Sequence, residues 1–167
     1  MPEQRTIERA RRDKRQGKAP STQAGEFVRE EIEHVRKGKH GARSTKQAIA
    51  IGLSKARRAG VDLPPPRKGA ASKRTRKRAS RDYAVGHGAS KKVPSAKRSR
   101  ATKAALKREG HSAASRKSLS TQARSAARKR SASARSAAAR KASRTKGPRV
   151  LAAAARKAAR TRARNAH

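Results

Sequence analysis

The stretch STQAGEFVREEIEHVRKGKHGARSTKQAIAIGLSKARRAG, residues 21–60, decides the fold. In its first half Ala24, Phe27, Val28, Ile32 and Val35 recur at three- and four-residue spacing, the apolar stripe of a helix. The spacing predicts a helix over about residues 21–37, capped by Ser21 or Thr22 and stopped by Gly38. Glu26, Glu30 and Glu31 lie in its first half and Arg36 and Lys37 in its last turn, which suits the helix dipole. The second half predicts another helix over about residues 44–59. Ser44 fits a cap and Gln47 stands three positions on, a capping box. Ile49, Leu53 and Ala56 form its stripe, with Ala48, Gly52 and Ala59 beside it, and Gly60 is the stop. Gly52 in mid-helix costs about 1 kcal/mol against Ala. It either permits close helix approach or merely weakens the helix. The two helices make an αα-hairpin around the loop at residues 38–43, with Phe27 opposite Ile49 or Leu53. Its nine large apolar side chains hardly offset the ordering of about 40 residues, so the hairpin should dimerise, gain a third helix or be completed by a partner.

Outward from this stretch the composition changes. The chain has 167 residues and a formal net charge of +39, with one Phe and one Tyr. Leu, Ile, Val and Phe together number 16, whereas Ala alone numbers 36. That balance argues against a large folded enzyme and for disorder outside the hairpin. Residues 1–63 carry 16 basic and 8 acidic side chains; residues 64–167 carry 33 and 2, the two being Asp82 and Glu109. The fold class expected is all-α: a basic, solvated arm at 1–20, the hairpin at 21–63, a Pro-rich linker at 64–72, and a low-complexity Ala/Ser/Lys/Arg tail at 73–167. The boundary is Pro64-Pro65-Pro66, which favours extended geometry. The tail should be mostly disordered or transiently helical. Segments near 95–108, 112–143 and 149–164 favour helix by composition, separated by Pro94, Gly110 and Gly147-Pro148. Leu106, Leu119 and Leu151 are too few for a core there.

The absence of Cys excludes disulfides, a thiol nucleophile and Cys-ligated zinc. No apolar run approaches the ~20 residues of a membrane span, and no signal-peptide core is present. The expectation is a cytoplasmic polycation. Glu26, Glu30, Glu31 and Glu33 with His34 read as a solvated face pairing with Lys and Arg of the neighbouring helix. His34 lacks a second ligand at helical spacing and His40 lies across the loop, so no metal, cofactor or catalytic set is expected. The tail serines read as neutral spacers.

Phosphate binding is the strongest chemical signal. Duplex DNA carries one charge per ~1.7 Å, so the tail's excess matches roughly 50 Å of duplex. Aromatics for base stacking are missing, which disfavours a single-strand reader and favours backbone contact without sequence preference. The expected nucleic-acid-binding residues are Arg43, Lys46, Lys55, Arg57 and Arg58 on the hairpin. In the tail they are Lys73, Arg74, Arg76, Lys77, Arg78, Arg128, Lys129, Arg130, Arg140, Lys141, Arg156 and Lys157. The loop entering Ser44 adds a helix N-terminus able to attract an anion. Reading of bases by Thr45, Lys46 and Gln47 is disfavoured, because the six-residue connection exceeds that of a helix-turn-helix.

The block from Ala19 to Glu31, continued by GKHGARSTKQAIAIGLSKARRAG at residues 38–60, resembles a family of small basic bacterial proteins of unknown function, often labelled DNA-binding. The resemblance covers about residues 1–68. It implies a bacterial cytoplasm and brings no active site. The tail is similar in composition to those of linker histones and bacterial histone-like proteins, though richer in Arg and Ser. The expected function is histone-like, nucleoid-associated binding of duplex DNA, largely sequence-independent and without catalysis. The alternatives are an RNA- or ribosome-associated protein, or an adaptor whose hairpin binds a protein partner or a second copy. No membrane partner is expected.

Overall fold

The computed structural model describes residues 2–90, 93 and 95–165. Regular structure is helical throughout, with no strand among the described residues. The chain forms two compact units, one ending at Gln122 and one beginning at Ala123.

The first unit is built around the expected hairpin. Helix α2 spans Pro20–Arg36 and helix α3 spans Thr45–Arg58. Pro20 fills the first turn of α2, where its missing N–H costs nothing; neither Ser21 nor Thr22 caps the helix. Ser44 caps α3 as expected, its Oγ accepting the Gln47 N–H at 3.2 Å. The Gln47 side chain accepts from Arg43 N–H at 3.1 Å, a capping box displaced by one residue.

Small residues carry the contact between α2 and α3. Ala48, Gly52 and Ala56, four apart, are buried, whereas Ile49 and Leu53 are only half-buried. A Cβ on Gly52 would stand 2.6 Å from Val28 Cα and 2.9 Å from its nitrogen. Gly52 therefore permits close approach. The expected stripe is rotated toward its small residues because backbone meets backbone there. Phe27 is buried in a cluster with Ala10, Ala24, Ala56 and Val61, flanked by Ile7, Leu53 and Leu63. Of the two residues expected opposite it, Leu53 flanks this cluster, whereas Ile49 lies in neither core cluster.

The residues before Pro20 are not a solvated arm. Helix α1, Gln4–Arg15, packs on α2 and buries Thr6, Ala10 and Asp13. Apolar periodicity does not reveal it because the buried residues are small or polar. Lys18 closes the next turn onto Asp13 at 2.6 Å.

Two further additions come from beyond the Pro-rich stretch. Helix α4, Lys73–Gly86, packs on α3. Helix α5, Ala96–Arg108, leads to a short 3-10 turn at Ser112–Ala114, which packs against both α2 and α3. Ala113 and Ala114 join Ile32, Val35, Ala42 and Ala48 in a second core cluster, with Val28 and Leu119 against it. Thr45 Oγ1 donates to the Ala113 carbonyl at 2.6 Å and Arg36 to the Ala114 carbonyl at 2.8 Å. Gly41 N–H donates to the Leu106 carbonyl at 2.8 Å and Ala42 N–H to the Gly110 carbonyl at 3.0 Å. A Cβ on Gly41 would overlap the Glu109 carbonyl oxygen, so only glycine fits. The hairpin's missing core thus comes from its own chain, and its boundary at residue 63 lies inside the folded unit.

Helix α6, Arg116–Arg128, includes the division between the units. In the second unit the helical run α7, Ala132–Arg164, is broken at Gly147 (φ 70°, ψ 165°) just before Pro148. Ser131 caps it, accepting from Ala134 N–H at 3.1 Å. The expected helices at 95–108 and 149–164 are present; the expected 112–143 segment is split at residues 129–131. Pro94 lies outside the described residues. The tail, expected to be mostly disordered or transiently helical, is largely helical over its described residues. Ala, Arg and Lys are strong helix formers and need no core to define a helix. None of α5, α6 and α7 buries a residue. No described helix is long and apolar enough to cross a membrane.

Candidate nucleic-acid interface

Helix α4 sorts its residues by face. Ser72 caps it, its Oγ accepting Thr75 N–H at 3.2 Å. Ala79 and Asp82 are buried against the hairpin. Ser54 of α3 donates to the Asp82 carboxylate, and Arg58 stands 3.7 Å from its other oxygen. Tyr83 donates to Asp62 at 2.6 Å and stacks on His87 at 4.0 Å between ring centroids. This hydrogen bond to a carboxylate raises the Tyr83 hydroxyl pKa above its ordinary value, helped by slight desolvation and the Asp62 charge. Arg74, Lys77, Arg78 and Arg81 occupy the opposite, exposed face. With Ser80 and Ala84 they line an open depression of about 580 Å³. Arg74 and Arg78, like Lys77 and Arg81, are like charges four apart, a spacing that disfavours the helix unless anions neutralise it. Lys73 is exposed at the helix start and Arg76 is half-buried on the flank.

The hairpin cations fare differently. Lys55 is largely buried, 2.6 Å from Glu31 and 3.4 Å from Glu30. Arg57 is buried and donates to the Leu63 and Pro64 carbonyls at 3.0 and 3.4 Å. Burial pushes its guanidinium pKa down, opposed by the nearby Asp82 charge. Lys55 and Arg57 are therefore internal ties rather than phosphate ligands, a correction to the reading of the α3 end as a basic surface. Arg58 remains exposed beside Asp82, and Arg43 and Lys46 are exposed. At the start of α3 the Gly41, Ala42, Arg43 and Gln47 N–H groups all donate within the protein. Thr45 is buried and engaged with Ala113, which removes it from any base-reading set.

In the tail, Arg128, Lys129, Arg130, Arg140, Lys141, Arg156 and Lys157 are all exposed. None of them forms an ion pair among the described residues, and no acidic residue follows Glu109.

The acidic set of α2 is not a solvated face. Glu26 pairs with Arg9 and the exposed Glu33 with Arg29, but Glu30 and Glu31 are 3% and 1% exposed. Their ion-pair partner on the neighbouring helix is Lys55, as the charge pattern implies. Glu3 joins them, its N–H donating to Glu30 at 3.1 Å and its carboxylate contacting His34 at 2.9 Å and Lys39 at 3.0 Å. His34 first and Lys39 second hold the Glu3 pKa down at about 2. The loop folds back so that His40 lies 3.2 Å from Glu31, a neighbour that its sequence distance conceals.

No curated protein and no solved structure matches the chain. Residues 2–68, which hold α1, α2 and α3 and stop short of α4, match the model of a family of unknown function (DUF6496).

Proposed function

We propose that this protein binds duplex DNA through its phosphates, largely without regard to sequence, as a histone-like component of a bacterial nucleoid. One observation carries the reading: the exposed face of α4 presents Arg74, Lys77, Arg78 and Arg81 together, while Asp82 and Tyr83 tie the helix to the hairpin and Asp62. Beyond Glu109 the chain carries no acidic residue, and its long helical run buries nothing, so its cations are also available to phosphates. Phosphate contacts of this kind position a protein on a duplex and carry no sequence information. Cations displayed on helices suit the wide major groove of B-form DNA better than the deep, narrow one of A-form RNA.

The test is a salt titration of the full chain on random duplex DNA, with competing structured RNA. The expected affinity falls steeply with salt and varies little among sequences. Replacing Arg74, Lys77, Arg78 and Arg81 by Gln should lower the salt slope by about 0.9 for each phosphate no longer neutralised. A binding curve flat in salt, or an RNA preference at equal ionic strength, would overturn the reading. So would a variant as tight as the parent.

A further inference from the structure

A second cluster of side chains lies at the turn of the hairpin and shares no residue with the α4 cations. Glu31 and His34 sit three apart on α2, and the loop returns His40 to the same place. One ligand atom from each of Glu31, His34 and His40 lies within 4.8 Å of the others. His40 Nδ1 is 3.0 Å from the Gly41 carbonyl. A proton on that nitrogen leaves the Nε2 lone pair facing Glu31, the arrangement by which backbone carbonyls orient metal-ligating histidines.

Glu31 supplies an independent observation. Its carboxylate is 1% exposed, and neither oxygen has an aligned hydrogen-bond partner. Lys55 Nζ is close to Oε2 at 2.6 Å, yet misdirected for a hydrogen bond. The charges facing the site are Glu3, Glu30 and Glu31 against Lys39 and Lys55, with both imidazoles beside them. With neutral imidazoles this pocket is one charge negative in a chain of net +39. Buried carboxylates without full compensation are costly, and a cation at the open edge removes the deficit.

We propose that Glu31, His34 and His40 bind a divalent transition-metal ion of the zinc class, with Glu3 beside His34 as the available fourth ligand. Two imidazoles select zinc, nickel, cobalt or copper over magnesium and calcium. Ligand atoms around a tetrahedral ion at ~2.0–2.1 Å stand roughly 3.4 Å apart, so small side-chain rotations suffice. The ion would join α2, the residue preceding α1, and the loop on which residues 106–114 dock. Its role is to fasten the first unit.

The experiment uses the full, untagged chain, stripped with a chelator and titrated with zinc chloride against a chromogenic chelator. One equivalent should bind, and the melting temperature should rise. His40→Ala, at a half-buried loop position, should weaken uptake by about tenfold or more and abolish the thermal shift. A His87→Ala variant should leave uptake unchanged. Cobalt(II) added to the parent protein should give the intense visible absorption of tetrahedral coordination, a readout that needs no variant. Absence of stoichiometric zinc uptake by the parent, or uptake and a cobalt spectrum unaltered by His40→Ala in a protein of unchanged helicity, would overturn the proposal.

Discussion

Two neighbouring helices carry comparable basic clusters and use them in opposite ways. At the end of α3, Lys55 neutralises buried carboxylates and Arg57 ties down the carbonyls of Leu63 and Pro64. On α4, Arg74, Lys77, Arg78 and Arg81 face outward together. The difference lies in what each helix packs against. α3 is surrounded by α2, α4 and the 3-10 turn, so its long side chains reach internal acceptors. α4 is covered on one face only. Basic residues in a polycation are therefore interchangeable in composition and distinct in energetics: the same charge is tied into the fold in one helix and left facing outward in the other.

The largest expected effect that breaks or keeps this contrast is at Lys55. Lys55→Ala leaves Glu30 and Glu31 buried without their ammonium, and removal of one partner from a buried ion pair costs about 3–5 kcal/mol. Chemical denaturation in the presence of a chelator should show that destabilisation, while the salt slope of DNA binding by the remaining folded protein stays that of the parent. A Lys55→Ala protein of full stability would mean that the carboxylates are not held as the structure places them. Arg57→Ala comes next. It removes two hydrogen bonds from a buried charged donor to the carbonyls of the half-buried Leu63 and the exposed Pro64, and about 1–3 kcal/mol of stability should go with it. Binding should again be unchanged in slope. If instead the slope fell by about one phosphate, Arg57 would be a surface ligand and the contrast would fail.

These substitutions also mark how far the fold can be read from sequence. The hairpin was legible because Phe27, Ile32 and Val35 repeat at helical spacing and Ser44 and Gln47 sign a helix start. What escaped were the parts held by small residues. Ala10, Ala113 and Ala114 are buried, yet Ala in an Ala-rich chain carries no pattern. Asp82 was a usable signal: a lone acid in a run of cations, it is the point where α4 is tied to Ser54 and Arg58. Gly41 was another, since only the approach of the Glu109 carbonyl requires a glycine there. Of the site, the exposed α4 cations could be read as charge, but their common face depended on knowing which side Asp82 and Ala79 bury. His40 stayed hidden because a loop, not a helical period, brings it to Glu31.

A single exposed cation gives a smaller effect and tests the other half of the contrast. Arg74→Ala should leave the denaturation midpoint in place and weaken every duplex alike, taking about 0.9 from the salt slope. Gln47→Ala should do neither, because that side chain accepts from Arg43 N–H at the helix start. Selection from random duplexes followed by titration of both variants checks this. A motif that depends on Gln47 would make the hairpin a reader of bases and α4 an accessory.

The smallest effect concerns what keeps α4 in place at high pH. The Tyr83 hydroxyl donates to Asp62 at 2.6 Å, and its pKa in the folded protein lies above the ordinary value near 10. A group whose folded pKa is raised binds its proton more tightly in the native state. Its contribution to stability is therefore complete below pH ~10, the unfolded pKa, and fades as pH rises through the folded one. Deprotonation would also set a phenolate against the Asp62 carboxylate. Tyr83→Phe removes the hydroxyl while keeping the ring that stacks on His87. The melting temperature of the parent should exceed that of the variant by a constant margin from pH 7 to about 9. The margin should then close above pH ~10, while the lysines titrate equally in both proteins. A margin that persists unchanged well above that range would show that the Tyr83 hydroxyl is not what ties the cationic helix to Asp62.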